Sequence, residues 1–154
     1  MLITEDSLLQ IIEDTWSSTL GLHVDRQAPS EPLAGDALTV STRITGEWSG
    51  EVQLDCPLPL ARLIAAATFQ VEAESATHEQ IVDALCELVH IVGGNLKPLL
   101  PQPVQVSLPE ITTAMRERHA PPPASQINRL TLTAAGQSFV MTLRGSVATP
   151  RKAA

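Results

Sequence analysis

Tyrosine is absent from this chain of 154 residues, and Trp16, Trp48, Phe69 and Phe139 are its only aromatic residues. A core so poor in aromatics has to be built from Leu, Ile, Val and Ala, and stacking platforms for bases or sugars are not expected. Cysteine is scarce too. Cys56 and Cys86 are too few and too irregularly placed for a disulfide framework or a thiolate metal site, and they read as reduced core residues. Basic residues are outnumbered, ten Lys and Arg against seventeen Asp and Glu, and the net charge of −7 comes with no basic run. That balance opposes nucleic acid and anionic membrane, which leaves a protein or a small molecule as partner. No stretch reaches the roughly 20 apolar residues of a membrane span. The start, Met1-Leu-Ile-Thr-Glu-Asp6, shows neither a basic region nor a small-residue cleavage site, so a cytoplasmic location is expected. His23, His78 and His119 stand far apart without Cys or carboxylate ligands at metal spacings, and no phosphate-binding glycine loop occurs.

What is present is a globular composition, 44% apolar and 18% charged, in a chain long enough for one core. Residues 1–146 read as a single domain and 147–154 as a mobile tail. From Ser7 to Leu20 the apolar residues Leu8, Leu9, Ile11, Ile12, Trp16 and Leu20 fall at helical spacings, with Thr4 or Ser7 as cap. Arg26 to Gly35, with two prolines and no period, reads as a loop or irregular edge. Alternation then takes over: Leu38, Val40 and Ile44, and after Gly46-Glu-Trp-Ser-Gly50 the set Val52, Leu54 and Cys56, predict an antiparallel hairpin. Trp48 at its tip is assigned to the core.

Leu60, Leu63, Ile64, Ala67 and Phe69 open an alanine-rich helix, and Thr77-His-Glu-Gln80 is a capping-box pattern ahead of a second one running towards Leu99. Val104 and Val106 mark a short strand, Leu108 to Met115 an irregular or short helical piece, and His119-Ala-Pro-Pro-Pro123 an extended loop. A last hairpin pairs residues 127–133 with 138–144. The sum is an α+β domain, an antiparallel-rich sheet covered on one face by helices.

The helix after Thr77 carries two patterns at once. Val82, Leu85, Val89, Val92, Leu96 and Leu99 mark a buried side. Asp83, Glu87, His90, Gly94 and Lys97 follow one another at intervals of four, three, four and three and must share the outer side. Such a stripe can be no more than the solvated face of an amphipathic helix. The glycine pair is harder to read that way, because each glycine inside a helix costs about 1 kcal/mol relative to alanine. What it can supply is a shallow place where another backbone comes close.

The run Asp83-Ala-Leu-Cys-Glu87-Leu-Val-His90-Ile-Val-Gly-Gly94-Asn95-Leu-Lys97 resembles the signature helix of the CheC/CheX/FliY family of chemotaxis phosphatases. That pattern is Asp, three residues, Glu, two residues, Asn, three residues, Gly-Asn and often Lys. The Gly46–Gly50 hairpin, the alanine-rich helix and Ser107-Leu-Pro109 match more loosely, and one copy of the signature in this length resembles CheX rather than two-site CheC.

The resemblance implies a CheX-like domain that docks on a phosphorylated response regulator of the CheY type, with no cofactor of its own, since Mg2+ would belong to the receiver domain. It implies Glu87 and His90 as the catalytic pair and Asp83, Gly94 and Lys97 as partner contacts. Glu87 would pair with the regulator's active-site lysine. His90 stands where the family has the Asn that orients the attacking water.

A carboxamide donates and accepts at adjacent atoms, whereas a neutral imidazole does so from opposite ring edges. A protonated ring would also add positive charge beside the regulator's lysine and metal, and histidine changes charge near neutrality. Three outcomes stay open: a working variant, a slow enzyme, and a domain that binds without hydrolysing. The alternative function is a non-enzymatic adaptor module of the same fold, like the middle domain of flagellar switch proteins. Homodimerisation is a further expectation, with the last hairpin offering a sheet edge.

Overall fold

A computed structural model describes residues 3–28, 37–112 and 126–147. Helix α1 spans Glu5–Leu20, two residues longer at its start than the apolar spacing implies. Thr4, not Ser7, is its cap, and the Thr4 hydroxyl accepts a hydrogen bond from the Ser7 amide at 3.1 Å. Leu8, Ile12 and Trp16 are buried, and the Trp16 indole stacks on Phe139 with ring centroids 5.1 Å apart, which ties α1 to the sheet.

The seven strands are β1 (Asp25–Gln27), β2 (Ala37–Gly46), β3 (Trp48–Pro57), β4 (Val104–Val106), β5 (Glu110–Thr112), β6 (Gln126–Ala134) and β7 (Gln137–Val147). They form one sheet in the order β1-β6-β7-β3-β2-β4, with β5 also on β2, and every pairing is antiparallel. Alternation sends Val40, Thr42 and Ile44 of β2, Val52, Leu54 and Cys56 of β3, and Phe139, Met141 and Leu143 of β7 to one buried face. Helices α1, α2 (Leu58–Phe69) and α3 (His78–Leu96) cover that face.

The opposite face alternates in polar residues. There Asp55 accepts hydrogen bonds from the Thr39 hydroxyl at 2.6 Å and from the Gln53 amide at 3.0 Å.

Trp48 is buried, as its assignment to the core requires, and it explains two glycines. A Cβ on Gly145 would lie 2.2 Å from the Trp48 ring, and one on Gly50 would lie 2.0 Å from the Arg144 carbonyl oxygen of β7 as well as 2.7 Å from the ring. Gly50 therefore lets the backbone of β7 and the indole come close within β3, and it is not part of the turn, which is made at Gly46 and Glu47.

Several expectations are corrected. The segment from Arg26, read as a loop or irregular edge, opens in an edge strand: Asp25–Gln27 pairs with Thr131–Thr133, and residues 29–36 lie outside the described residues. Glu110–Thr112 is a strand on Ser41–Thr39 rather than an irregular or helical piece, while residues 113–125, with the proline loop, lie outside the described residues. Both strands have three residues, too few to show a period, and are held by the strands they border. In α2 the buried set is Leu60, Ala61, Ile64 and Ala65, and Leu63, Ala67 and Phe69 are exposed. In α3 Val82 is half-buried, and Leu99 belongs to a 3-10 turn over Lys97–Leu99 set by Pro98. Val147 closes β7 opposite Trp48, and residues 148–154 lie outside the described residues. The last hairpin is an edge only in part: β7 is interior, β1 takes Thr131–Thr133, and residues 126–130 of β6 have no strand on that side among the described residues.

Candidate functional site

Helix α3 begins where its sequence provides for it. The Thr77 hydroxyl accepts from the Gln80 amide at 3.1 Å and the Gln80 side chain accepts from the Thr77 amide at 3.0 Å, so the capping box is complete. Ile81, Ala84, Leu85, Leu88, Val89, Val92, Gly93 and Leu96 are buried, and this broad apolar side fixes the rotation of the helix on the sheet.

The rotation leaves Asp83, Glu87, His90, Gly94 and Lys97 all exposed on the outer side. Lys97 caps α3 with helical backbone angles, so the stripe continues through it and runs roughly 20 Å along the axis. None of the Asp83, Glu87, His90 or Lys97 side chains has a hydrogen bond or an ion pair among the described residues. Two carboxylates, an imidazole and an ammonium are therefore exposed with no partner among the described residues to neutralise them. Asn95 is exposed too, but it lies about 100° round the helix from Gly94 and off the stripe.

The glycine pair separates into two functions. Gly93 is buried, and a Cβ there would sit 3.1 Å from a methyl of Thr42 and 3.1 Å from a methyl of Val106. It allows α3 to settle closely on β2 and β4. Around Gly94 there is open space, with nothing beyond its chain neighbours and the backbone of α3 itself within 4 Å of where its Cβ would be. Close packing inside the molecule thus accounts for the first glycine and not for the second.

The edge under Gly93 is held by a residue that spacing alone does not single out for this role. The Ser107 hydroxyl accepts from the Arg43 amide at 3.0 Å, its amide donates to the Arg43 carbonyl at 2.8 Å, and its carbonyl accepts from the Thr42 hydroxyl at 2.6 Å. Only the loose match of Ser107-Leu-Pro109 to the family hinted at it. Leu108, next in the chain, is 82% exposed.

Cys86 is half-buried between the two sides of α3, and burial first, then the charge of Asp83, raises its thiol pKa above the ordinary value. A thiol so disposed is a poor nucleophile at neutral pH. His23 is exposed and pairs with Asp25 at 2.9 Å beside a polar depression of about 350 Å3 at the end of α1, which holds no residue of the stripe. Among the described residues no three His, Cys, Asp or Glu side chains gather as a metal site, and no helix is long and apolar enough to cross a membrane.

Residues 38–133 match the family model described as chemotaxis phosphatase CheX. Among curated proteins no sequence matches the chain. Solved structures of the same architecture include a CheC-like superfamily protein from Shewanella sp. PV-4, with a TM-score of 0.74 at 14% identity over 94% of this chain and 99% of that one. The chemotaxis protein CheX from Vibrio vulnificus superposes with a TM-score of 0.73 at 12% identity, again over 94% of this chain and 99% of the other. A third is the CheX of Borrelia burgdorferi in a complex with CheY, BeF3 and Mg2+, with a TM-score of 0.72 at 12% identity over 95% of this chain and 99% of that one. At these identities the structural likeness is one of fold.

Proposed function

This chain belongs to the CheX family, and on that premise we propose that the outer stripe of α3 docks on the phosphorylation site of a receiver domain, with Glu87 and His90 at the contact. The observation that carries the reading is the unpaired state of the stripe. Glu87 and His90, one turn apart, are exposed and without a partner among the described residues, at the positions where the family signature has its acid and its amide. The Borrelia burgdorferi protein of this fold, in complex with CheY, supports a receiver domain as the kind of partner.

Glu87 supplies a carboxylate for the lysine of the receiver's active site. Asp83, one turn before it, extends the negative surface, and Gly94 admits the partner's backbone where any side chain would stand proud. Lys97 closes the stripe with a positive charge. Mg2+ enters with the receiver and is not held by this chain.

Hydrolysis is where the chain departs from the signature. An Asn amide can hold a water by one donor and one acceptor side by side, whereas a neutral imidazole has its donor and its acceptor on different ring nitrogens facing apart. Positioning contributes heavily to phosphoryl transfer, and a 1 Å misplacement can cost about a hundredfold. The expected behaviour is docking with slow release of inorganic phosphate.

The test is to mix the purified protein with phosphorylated CheY-type regulators and to follow both association and phosphate release. Association weakened about tenfold or more by Glu87→Ala, with phosphate release raised in His90→Asn, is the expected result. Rapid release by the unaltered chain, abolished in Glu87→Ala and not improved in His90→Asn, would refute slow hydrolysis. Absence of any association would refute the docking.

A further inference from the structure

Resting on the docking reading above, we propose that His90 is itself the acceptor of the phosphoryl group: its ring nitrogen takes the phosphate from the receiver's aspartyl phosphate and becomes a phosphohistidine. The chain would then be a phosphotransfer protein built on a phosphatase fold.

Three observations lead there. His90 is exposed on the outward side of α3, and no hydrogen bond or ion pair among the described residues holds its ring, so a ring nitrogen is available as a nucleophile. The residue one turn on is Gly94. Side chains on a helix lean towards its N-terminus, so a side chain at 94 would lie over the turn that carries His90. With glycine there, and nothing within 4 Å of the Cβ position, the C-terminal flank of the imidazole stays open to a bulky electrophile. Finally, packing does not require Gly94, in contrast to Gly93, yet it keeps the helix-propensity cost of a glycine. The family signature carries this glycine beside an Asn, so the open turn is common to the fold, and here it is His90 that stands in it.

The chemistry favours an imidazole as nucleophile over an imidazole as water-holder. Histidine forms covalent intermediates, and its unprotonated nitrogen attacks without prior removal of a proton. Its lone pair forms an N–P bond in line with the bond that breaks, the P–O bond to the aspartyl carboxyl group. The aspartate carboxylate leaves with that electron pair, and the proton on the other ring nitrogen stays in place. No water is consumed and no co-reactant is needed. Glu87, one turn before His90, holds the receiver's lysine, so the two side chains fix the phosphorus at the end of the imidazole.

The experiment incubates the full chain with CheY carrying a radiolabelled aspartyl phosphate and quenches into alkali, which destroys acyl phosphate and spares phosphohistidine. The expected result is label on the chain that survives alkali, is lost in mild acid and is absent from His90→Gln. In Gly94→Leu the rate of labelling should fall about tenfold or more, while circular dichroism and melting temperature remain those of a folded protein.

Complete recovery of the lost phosphate as inorganic phosphate, with none on the chain, overturns the transfer and leaves docking standing. Label that persists in His90→Gln also overturns it. Gly94→Leu labelled at an unchanged rate removes the access argument. A phosphorylated CheY that neither binds the chain nor loses phosphate faster in its presence defeats the docking reading and this inference together.

Discussion

At the scale of single residues, neighbouring glycines in one helix have opposite reasons to exist. Gly93 is fitted against the methyls of Thr42 and Val106 at 3.1 Å, so a larger side chain forces the helix off the sheet, whereas Gly94 faces open space. Gly94→Ala should stabilise the fold by about 1 kcal/mol through helix propensity. Gly93→Val should destabilise it by about 2 kcal/mol through overpacking. Urea unfolding of the two variants checks this, and equal effects would show that the pair is a single device. Both glycines are visible in the sequence, but only the rotation of α3 on β2 and β4 tells them apart. His90 is legible as a departure from a known signature. Its lack of a partner among the described residues is not, because that depends on what the sheet and the neighbouring helices bring near it.

At the scale of elements, the start of α3 shows how much local chemistry can decide. Thr77 and Gln80 each satisfy an amide of the other, and the helix that carries the stripe begins there. Thr77→Ala should cost about 1 kcal/mol of stability, and Thr77→Ser much less. Thermal melts that do not separate the two variants would argue against the cap. The capping box, the two long hairpins and the three helices could be read from spacing because each has enough residues to show a period. Strands β1 and β5 could not, since three residues show no alternation and their order comes from β6 and β2. The outer faces of α2 and α3 posed a different difficulty. Leu63 and Phe69 look like core by type and yet are exposed, at 38% and 40%, because α2 buries the side carrying Leu60, Ala61, Ile64 and Ala65.

For the whole molecule, Cys56 links the core to pH. Burial first, and the charge of Asp55 second, keep its thiol protonated far above the ordinary value of 9.0. In the unfolded chain the same thiol ionises near that ordinary value. The folded state therefore binds the extra proton, and its stability falls as pH rises beyond about 9. Cys56→Ala, which lacks the thiol, should be less stable than the parent by about 1 kcal/mol at pH 7.5 because of the cavity. Above pH 9 the difference should shrink by up to ~1.4 kcal/mol per pH unit. Denaturant curves from pH 7.5 to 10.5 measure it, and a constant difference would mean that Cys56 does not titrate with unfolding.

The sheet ends, at both borders, in strands of three residues: β4 and β5 divide the outer side of β2 between them, and β1 covers the end of β6. A growing fibril needs a long, continuous row of unpaired amides and carbonyls to template on, and among the described residues neither border supplies one. The longest row left among the described residues, 126–130 of β6, carries the exposed Arg129 near the exposed Ile127. Crowded molecules of this protein thus meet one another across broken and charged borders, and resistance to β-aggregation is written into the lengths of its shortest strands.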